Sequence, residues 1–199
     1  MKMPPRLASI CAVFAMCAVP VRMFAGTEII VSVTEQKLAV VQNGLQVAQF
    51  PVSTSKFGLG DRPRSYATPL GHLVVASKVG AGAPQGTVFK SQRRTGEILR
   101  PNAPGRDPIV TRILHLRGLE VGNARAFGRG IYIHGTPEER KIGRPASYGC
   151  IRMRSRDVVR VFDAVPVGTR IEIVRTSISR ALTRFALSGP SGHRLTAKG

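Results

Sequence analysis

The residues best suited to chemistry in this sequence are Cys150 and His134. The chain holds three cysteines, and two of them, Cys11 and Cys17, fall in an apolar N-terminal stretch. If that stretch is removed, Cys150 stands alone. A lone thiol cannot form an internal disulfide, and in an oxidising compartment it is a hazard that calls for a purpose. The plain alternative is a buried cysteine acting as a small hydrophobe. A single histidine beside an apolar strand is likewise more often structural than catalytic. Together the two residues favour catalysis. A cysteine nucleophile needs a base, a group that orients the base, and donors for the oxyanion. His134 directly follows the apolar run Ile131–Ile133, so a strand would hold its ring. A Cys–His pair can form the thiolate and return the proton to a leaving group. No Asp or Asn is placed in sequence to orient the imidazole, but the carbonyl of adjacent Gly135 can do so. Gly149 permits tight backbone approach or a positive φ, and the amides of Gly149 and Cys150 could then converge as an oxyanion hole. In an extended segment Arg152 emerges on the same side as Cys150, where it could clamp a substrate carboxylate. Its alternative is a solvated surface charge.

Strands must position these groups. Glu28–Val33 alternates weakly, and Lys37–Gln42 and Leu45–Phe50 flank Asn43-Gly44, a strong hairpin signal. Leu70–Ser77 and Val110–Leu116 have β character, and Thr169–Val174 alternates as a final strand. Residues 78–108 are rich in Gly, Pro and Arg and read as a long irregular stretch. With Lys90, Arg93, Arg94 and Arg100 it would form either a lid over a cleft or a solvated charged loop. One helix is persuasive: Ser155 as N-cap, Asp157 in the first turn, and Val158, Val159 and Phe162 on one face. The expectation is a mostly β fold, a sandwich or barrel-like sheet, with one short helix after Cys150.

The formal charge is +19, from 30 Lys plus Arg against 11 Asp plus Glu. Such a balance favours an anionic partner: nucleic acid, acidic lipid or an acidic wall polymer. Residues 1–25 read as a signal peptide, with Lys2 and Arg6 ahead of an apolar run from Leu7 to Val21 and Ala25 before a cut. An uncleaved N-terminal anchor is the competing reading. Both place the domain outside the cytoplasm, in the periplasm or cell envelope, which argues against nucleic acid. Beyond the domain, the charges of residues 176–199 (Arg180, Arg184, Arg194, Lys198) are all positive. A disordered, solvated tail is expected there, the alternative being a short amphipathic helix over Ser177–Leu187 on an anionic envelope surface. His72, His115, His134 and His193 lack zinc-ligand spacing, so neither metal nor cofactor is expected.

At the residues around Cys150 the chain resembles the L,D-transpeptidase catalytic domain family of bacterial cell-wall enzymes. That family carries a strand-end His, a loop, then Ser/Thr-His-Gly-Cys, a hydrophobic residue and Asn or Arg. The matching residues here are His134, Gly135 and Thr136, then Ser147, Gly149, Cys150, Ile151 and Arg152. Pro51-Val52-Ser53-Thr54 is similar to the family's strand before its first long loop, and Thr68-Pro69-Leu70-Gly71 to its Thr-Pro-x-Gly turn. Asp157–Phe162 and Gly168-Thr169 resemble its closing helix and strand. The resemblance covers about residues 27–175 and implies one catalytic domain. One position departs from the pattern: Tyr148 stands where the family usually has His. A phenol cannot act as an imidazole, so Tyr148 either shapes the loop or contacts substrate.

The resemblance implies a peptidoglycan stem tetrapeptide as substrate. Cys150 would attack the carbonyl of its third residue, a diamino acid, and expel the terminal D-Ala. His134 would serve as base, Gly135, Gly149 and Ser147 would orient the base and the oxyanion site, and Arg152 and Tyr148 would meet substrate. An amine acceptor gives a cross-link, water gives an L,D-carboxypeptidase, and a protein lysine gives anchoring. A catalytically weakened wall-binding protein is the non-enzymatic alternative.

Overall fold

The computed structural model describes residues 26–188, with side chains as far as Arg184. The leader expected over residues 1–25, and residues 189–199 of the expected tail, lie outside the described residues. Strands β1 (Thr27–Ser32), β2 (Lys37–Gln42) and β3 (Leu45–Pro51) form a meander. Asn43 and Gly44 turn β2 into β3 at φ 51° and 78°, the left-handed geometry that matches strand twist. The chain continues through β4 (Gly71–Val79), β5 (Thr87–Lys90), β6 (Arg93–Ile98), β7 (Ile109–Gly118), β8 (Tyr132–Gly135) and β9 (Ile151–Met153). Helix α1 (Ser155–Ala164), strand β10 (Arg170–Val174) and helix α2 (Ile178–Ser188) follow.

These ten strands form one mixed sheet with the order β3-β2-β1-β10-β4-β7-β5-β6, and β8 joins β7 to β9. The β1–β10 and β8–β9 pairs are parallel. The segment leaving β3 then bonds to β9: Ser53 N donates to Arg152 O and Arg152 N to Ser53 O, both at 2.9 Å. This exchange closes the circuit β1-β2-β3-β9-β8-β7-β4-β10, so the barrel-like expectation holds. The β5–β6 hairpin branches off β7 outside the circuit.

Strand alternation separates the faces. Ile29, Val31, Leu38, Val40, Leu73, Val75, Ile133, Ile151, Met153 and Ile171 point into one core, sealed by Val158, Val161 and Phe162 of α1. Ile30, Ala39 and Val41 face the other way, against Ile178 and Ala181 of α2. A third cluster joins Phe89 of β5 to Ile113 of β7, with Tyr132 packed against it. Because Ile133 and Ile151 are internal, Tyr132, His134, Cys150 and Arg152 share the outer face of β8 and its continuation into β9.

Three local expectations change. The segment over 78–108 is not wholly irregular: its cationic part folds as the β5–β6 hairpin, turned by Ser91 and Gln92 at φ 48° and 62°. The basic segment after residue 176 begins with α2, a second helix whose Ile178 and Ala181 pack against β1 and β2. Ser155 is not the N-cap of α1; Arg154 holds that position, and the Glu139 carboxylate accepts from Ser155 N at 2.8 Å. The Ser155 hydroxyl instead bonds Thr111 at 2.7 Å. Among the described residues no helix is long and apolar enough to cross a membrane.

Candidate active site

In the parallel β8–β9 register Ile133 pairs with Ile151 and His134 with Arg152. Cys150 therefore lies level with Tyr132, and His134 is its diagonal neighbour on the same face, about 8 Å away between Cα atoms from standard strand spacings. The sulfur is half-buried and bonded to backbone. Tyr132 N–H donates to Sγ at 3.4 Å, and the thiol donates to Gly130 O at 3.4 Å.

His134 is buried, and its Nδ1 lies 2.8 Å from Gly135 O. A carbonyl only accepts, so Nδ1 carries the proton and Nε2 is left as an acceptor, the tautomer a general base needs. Gly135 has no room for a side chain, since a Cβ there would meet Val110 O at 2.6 Å. The ladder opposite it is bulged between Val110 and Ile113, with Thr111 at φ 71°. A β-branched residue in that region is strained, and the buried Thr111 hydroxyl is held there by Gly86 N at 2.9 Å and by Ser155.

Burial sets the protonation of both groups. It pushes the Cys150 thiol up to about 11, against the Tyr132 hydrogen bond and the charges of Arg129 and Arg152, which lower it. It pushes His134 down to about 4, with the Gly135 bond and Asp107 opposing and Arg152 adding to the fall. At neutral pH the pair rests as thiol and neutral imidazole. The thiolate expected from sequence is not the resting form.

The loop before Cys150 is built by Ser147. Its hydroxyl donates to Cys150 O at 2.6 Å and accepts from Gly149 N at 3.2 Å. Gly149 has φ 116°, and a Cβ there would lie 3.2 Å from Ala67 O, so both conformation and space require glycine. The Gly149 amide is already spent on Ser147. The Cys150 amide makes no hydrogen bond among the described residues and is free to donate. Thr68, of the Thr-Pro turn, donates to Gly149 O at 2.9 Å and accepts from Ser55 N at 3.0 Å.

Arg152 shares the face of Cys150, but it is only 3% exposed. Its guanidinium is held by Asp107 and by Glu138, the latter at 3.2 Å. Asp107 also accepts from Thr136 Oγ1. A substrate carboxylate would have to displace one of these partners, so the position serves as a tie between loops rather than an open clamp. Tyr148 is 59% exposed and its ring packs against Phe57 and Tyr66.

Several contributors could not be seen in the sequence. Asp61 and Arg129 form a buried ion pair at 2.6 Å. Arg129 also donates to the carbonyls of Gly60, Ser65 and Ala67 at 2.6–3.2 Å, and Asp61 accepts from Arg125 N. This ties the loop that packs on Gly149 to the turn that presents Gly130. Tyr132, Asp107 and Glu138 were likewise hidden, because only the fold brings Tyr132 to Cys150 and Asp107 and Glu138 to Arg152. A cleft of about 570 Å³ opens beside the site, lined by Arg64, Tyr66, Arg129, Gly130 and Tyr148. Among the described residues no three His, Cys, Asp or Glu side chains gather as a metal site.

The chain is similar to known proteins in sequence and in fold. The chain is 43% identical to YqjB of Bacillus subtilis over 60 residues, 30% of this chain and 33% of that protein. It is 50% identical over 48 residues to the "Probable L,D-transpeptidase ErfK/SrfK" of Escherichia coli, 24% of this chain and 16% of that protein. The matches thus span a third or less of these relatives. Among solved structures, the "Ldtfm-avibactam carbamoyl enzyme" superposes with a TM-score of 0.50 at 16% identity, covering 77% of this chain and 51% of that one, which shows the fold. An L,D-transpeptidase from Mycobacterium tuberculosis H37Rv gives 0.48 at 20% identity, over 75% and 57% of the two chains. The YkuD family model, the L,D-transpeptidase catalytic domain, matches residues 26–173, and the chain belongs to that family.

Proposed function

We propose that this chain is a cysteine acyltransferase acting on peptidoglycan stem tetrapeptides outside the cytoplasm. The observation that carries the reading is the shared outer face of β8 and β9, with Cys150 and His134 as diagonal neighbours and the imidazole fixed in its accepting tautomer by Gly135. In the first half-reaction the Cys150 proton passes to His134 Nε2 as the sulfur attacks the carbonyl of the third stem residue. The Cys150 amide receives the developing oxyanion. His134 then protonates the amine of the departing D-Ala, leaving a thioester on Cys150. An acceptor amine from a second stem attacks the thioester and regenerates the thiol, giving the cross-link.

Mass spectrometry of muropeptides incubated with the purified chain tests this reading. Cross-linked dimers with loss of D-Ala are expected from the wild type and none from Cys150→Ala. Trimmed stems without dimers would make the chain a carboxypeptidase. Unaltered muropeptides from a folded sample would remove the enzyme reading.

A further inference from the structure

Three exposed aromatic rings stand together, and two of them, Tyr66 and Tyr148, line the cleft that passes Gly130. Phe57, Tyr66 and Tyr148 are each more than half exposed. Their centroids are 5.2 Å apart for Phe57–Tyr148 and 5.5 Å for the other two pairs. Every ring touches the other two, so the cluster is fixed before any ligand arrives, and ordering it costs little on binding. Lys56 caps it, with Nζ 4.7 Å from the Tyr148 ring centroid and 3.4 Å from the Tyr148 hydroxyl. Exposed aromatic clusters of this kind mark interaction sites.

The chemistry of the patch narrows its occupant. It is an open platform rather than a closed pocket, so it cannot enclose an apolar side chain. Its rings are rimmed by polar tips: two phenols, the Lys56 ammonium, and the exposed Arg64 on the cleft wall. Arg129, the other cation of that wall, is saturated by Asp61 and three carbonyls. A pyranose ring matches this layout, because it offers a C–H face to an aromatic ring and hydroxyl and amide groups to donors at the edge. Amphipathic Tyr is suited to such half-wet contacts. The platform is also continuous with the cleft: Tyr148 lines it next to Gly130, whose carbonyl accepts the Cys150 thiol.

We propose that Phe57, Tyr66 and Tyr148, with Lys56 and Arg64 at the rim, form a saccharide subsite that holds the N-acetylated glycan to which the stem peptide is attached. This rests on the function proposed above, and it gives Tyr148 a binding role where an imidazole is usual in the family. The chain would then favour stems still joined to sugar over free peptides.

The test separates binding from turnover. The chain has three tyrosines and no tryptophan, and two of the three lie in the platform, so tyrosine fluorescence reports on it. The Cys150→Ser chain is titrated with a peptide-free N-acetylglucosamine tetramer. A saturable fluorescence change is expected, weakened about tenfold or more by Phe57→Ala and by Tyr66→Ala. Thermal melting of each variant checks that it is folded, which the exposure of these rings favours. No saturation, or binding indifferent to both substitutions, overturns the subsite. So does equal competition by a sugar-free acidic stem peptide. Turnover of muropeptides without saccharide binding would remove the subsite alone. Saccharide binding without turnover would remove the transferase reading and leave the subsite.

Discussion

The Tyr132 amide points at the Cys150 sulfur, nitrogen to Sγ 3.4 Å, from the same strand that carries His134. A backbone donor aimed at sulfur favours the thiolate, yet burial outweighs it and the thiol stays protonated. In the proposed mechanism the nucleophile is therefore made during the reaction, by transfer to an imidazole that burial keeps neutral.

Reactivity against pH should show this directly. Iodoacetamide alkylation of Cys150 is expected to climb through the alkaline range toward a midpoint near 11. Acylation by a carbapenem, which uses His134, should hold level through neutrality and fall as His134 protonates near 4. His134→Ala should remove the level region and leave the alkaline climb. An alkylation midpoint below about 8 would mean a preformed thiolate.

Stability should follow the same two groups in opposite directions. The folded His134 value lies below its ordinary 6.5, so the unfolded chain takes up the proton first; stability is present above 6.5 and is lost as pH falls toward 4. The folded Cys150 value lies above its ordinary 9.0, so the unfolded chain releases the proton first; stability is lost as pH rises from 9.0 toward 11. Each flank is worth roughly 3 kcal/mol. Melting temperature against pH should be highest between 6.5 and 9.0, and His134→Gln should flatten the acid side.

Asp61→Ala leaves the Arg129 guanidinium buried without its anion. The expected loss is about 3–5 kcal/mol in denaturant unfolding. Arg129→Lys keeps the charge but loses the planar fork that serves several acceptors at once. It should recover part of the stability while acylation of Cys150 stays slow, because Gly130 and the loop under Gly149 are no longer tied together. Acylation at the wild-type rate in Arg129→Lys would show that only the charge matters.

Arg152→Ala separates two roles by kinetics. As a tie between Asp107 and Glu138, its loss takes the cation from Asp107 and leaves Glu138 to Lys141 alone, lowers the melting temperature and reduces kcat with KM little changed. A raised KM with kcat and stability intact would instead restore the substrate clamp read from sequence.

Local signals in the sequence carried much of the architecture. Asn43-Gly44, the alternation of Lys37–Gln42, and the helical face of Val158 and Phe162 each state their geometry within a few residues. Strand β9 did not, because three residues are too few to show a period. The β5–β6 hairpin was obscured by Gly and Arg and by a turn made without glycine at Ser91 and Gln92. At the site, His134, Gly135, Ser147 and Gly149 are neighbours in sequence of the groups they touch, and so could be named. The partners of Arg152 and Arg129 could not. Asp107 and Asp61 are distant in the chain, and only the fold makes them adjacent.

The Ser53–Arg152 exchange that closes the strand circuit lies immediately beside Cys150. A ring of strands opens most readily where its ladder is irregular, and this seam is held by isolated bridges, Ser53–Arg152 and Ser55–Ser147, rather than by a continuous ladder. Heating would loosen the catalytic loop there while the internal cluster of Ile, Leu and Val was still intact. Inactivation would then run ahead of unfolding, and the weak seam would act as a thermal fuse set next to the proposed nucleophile.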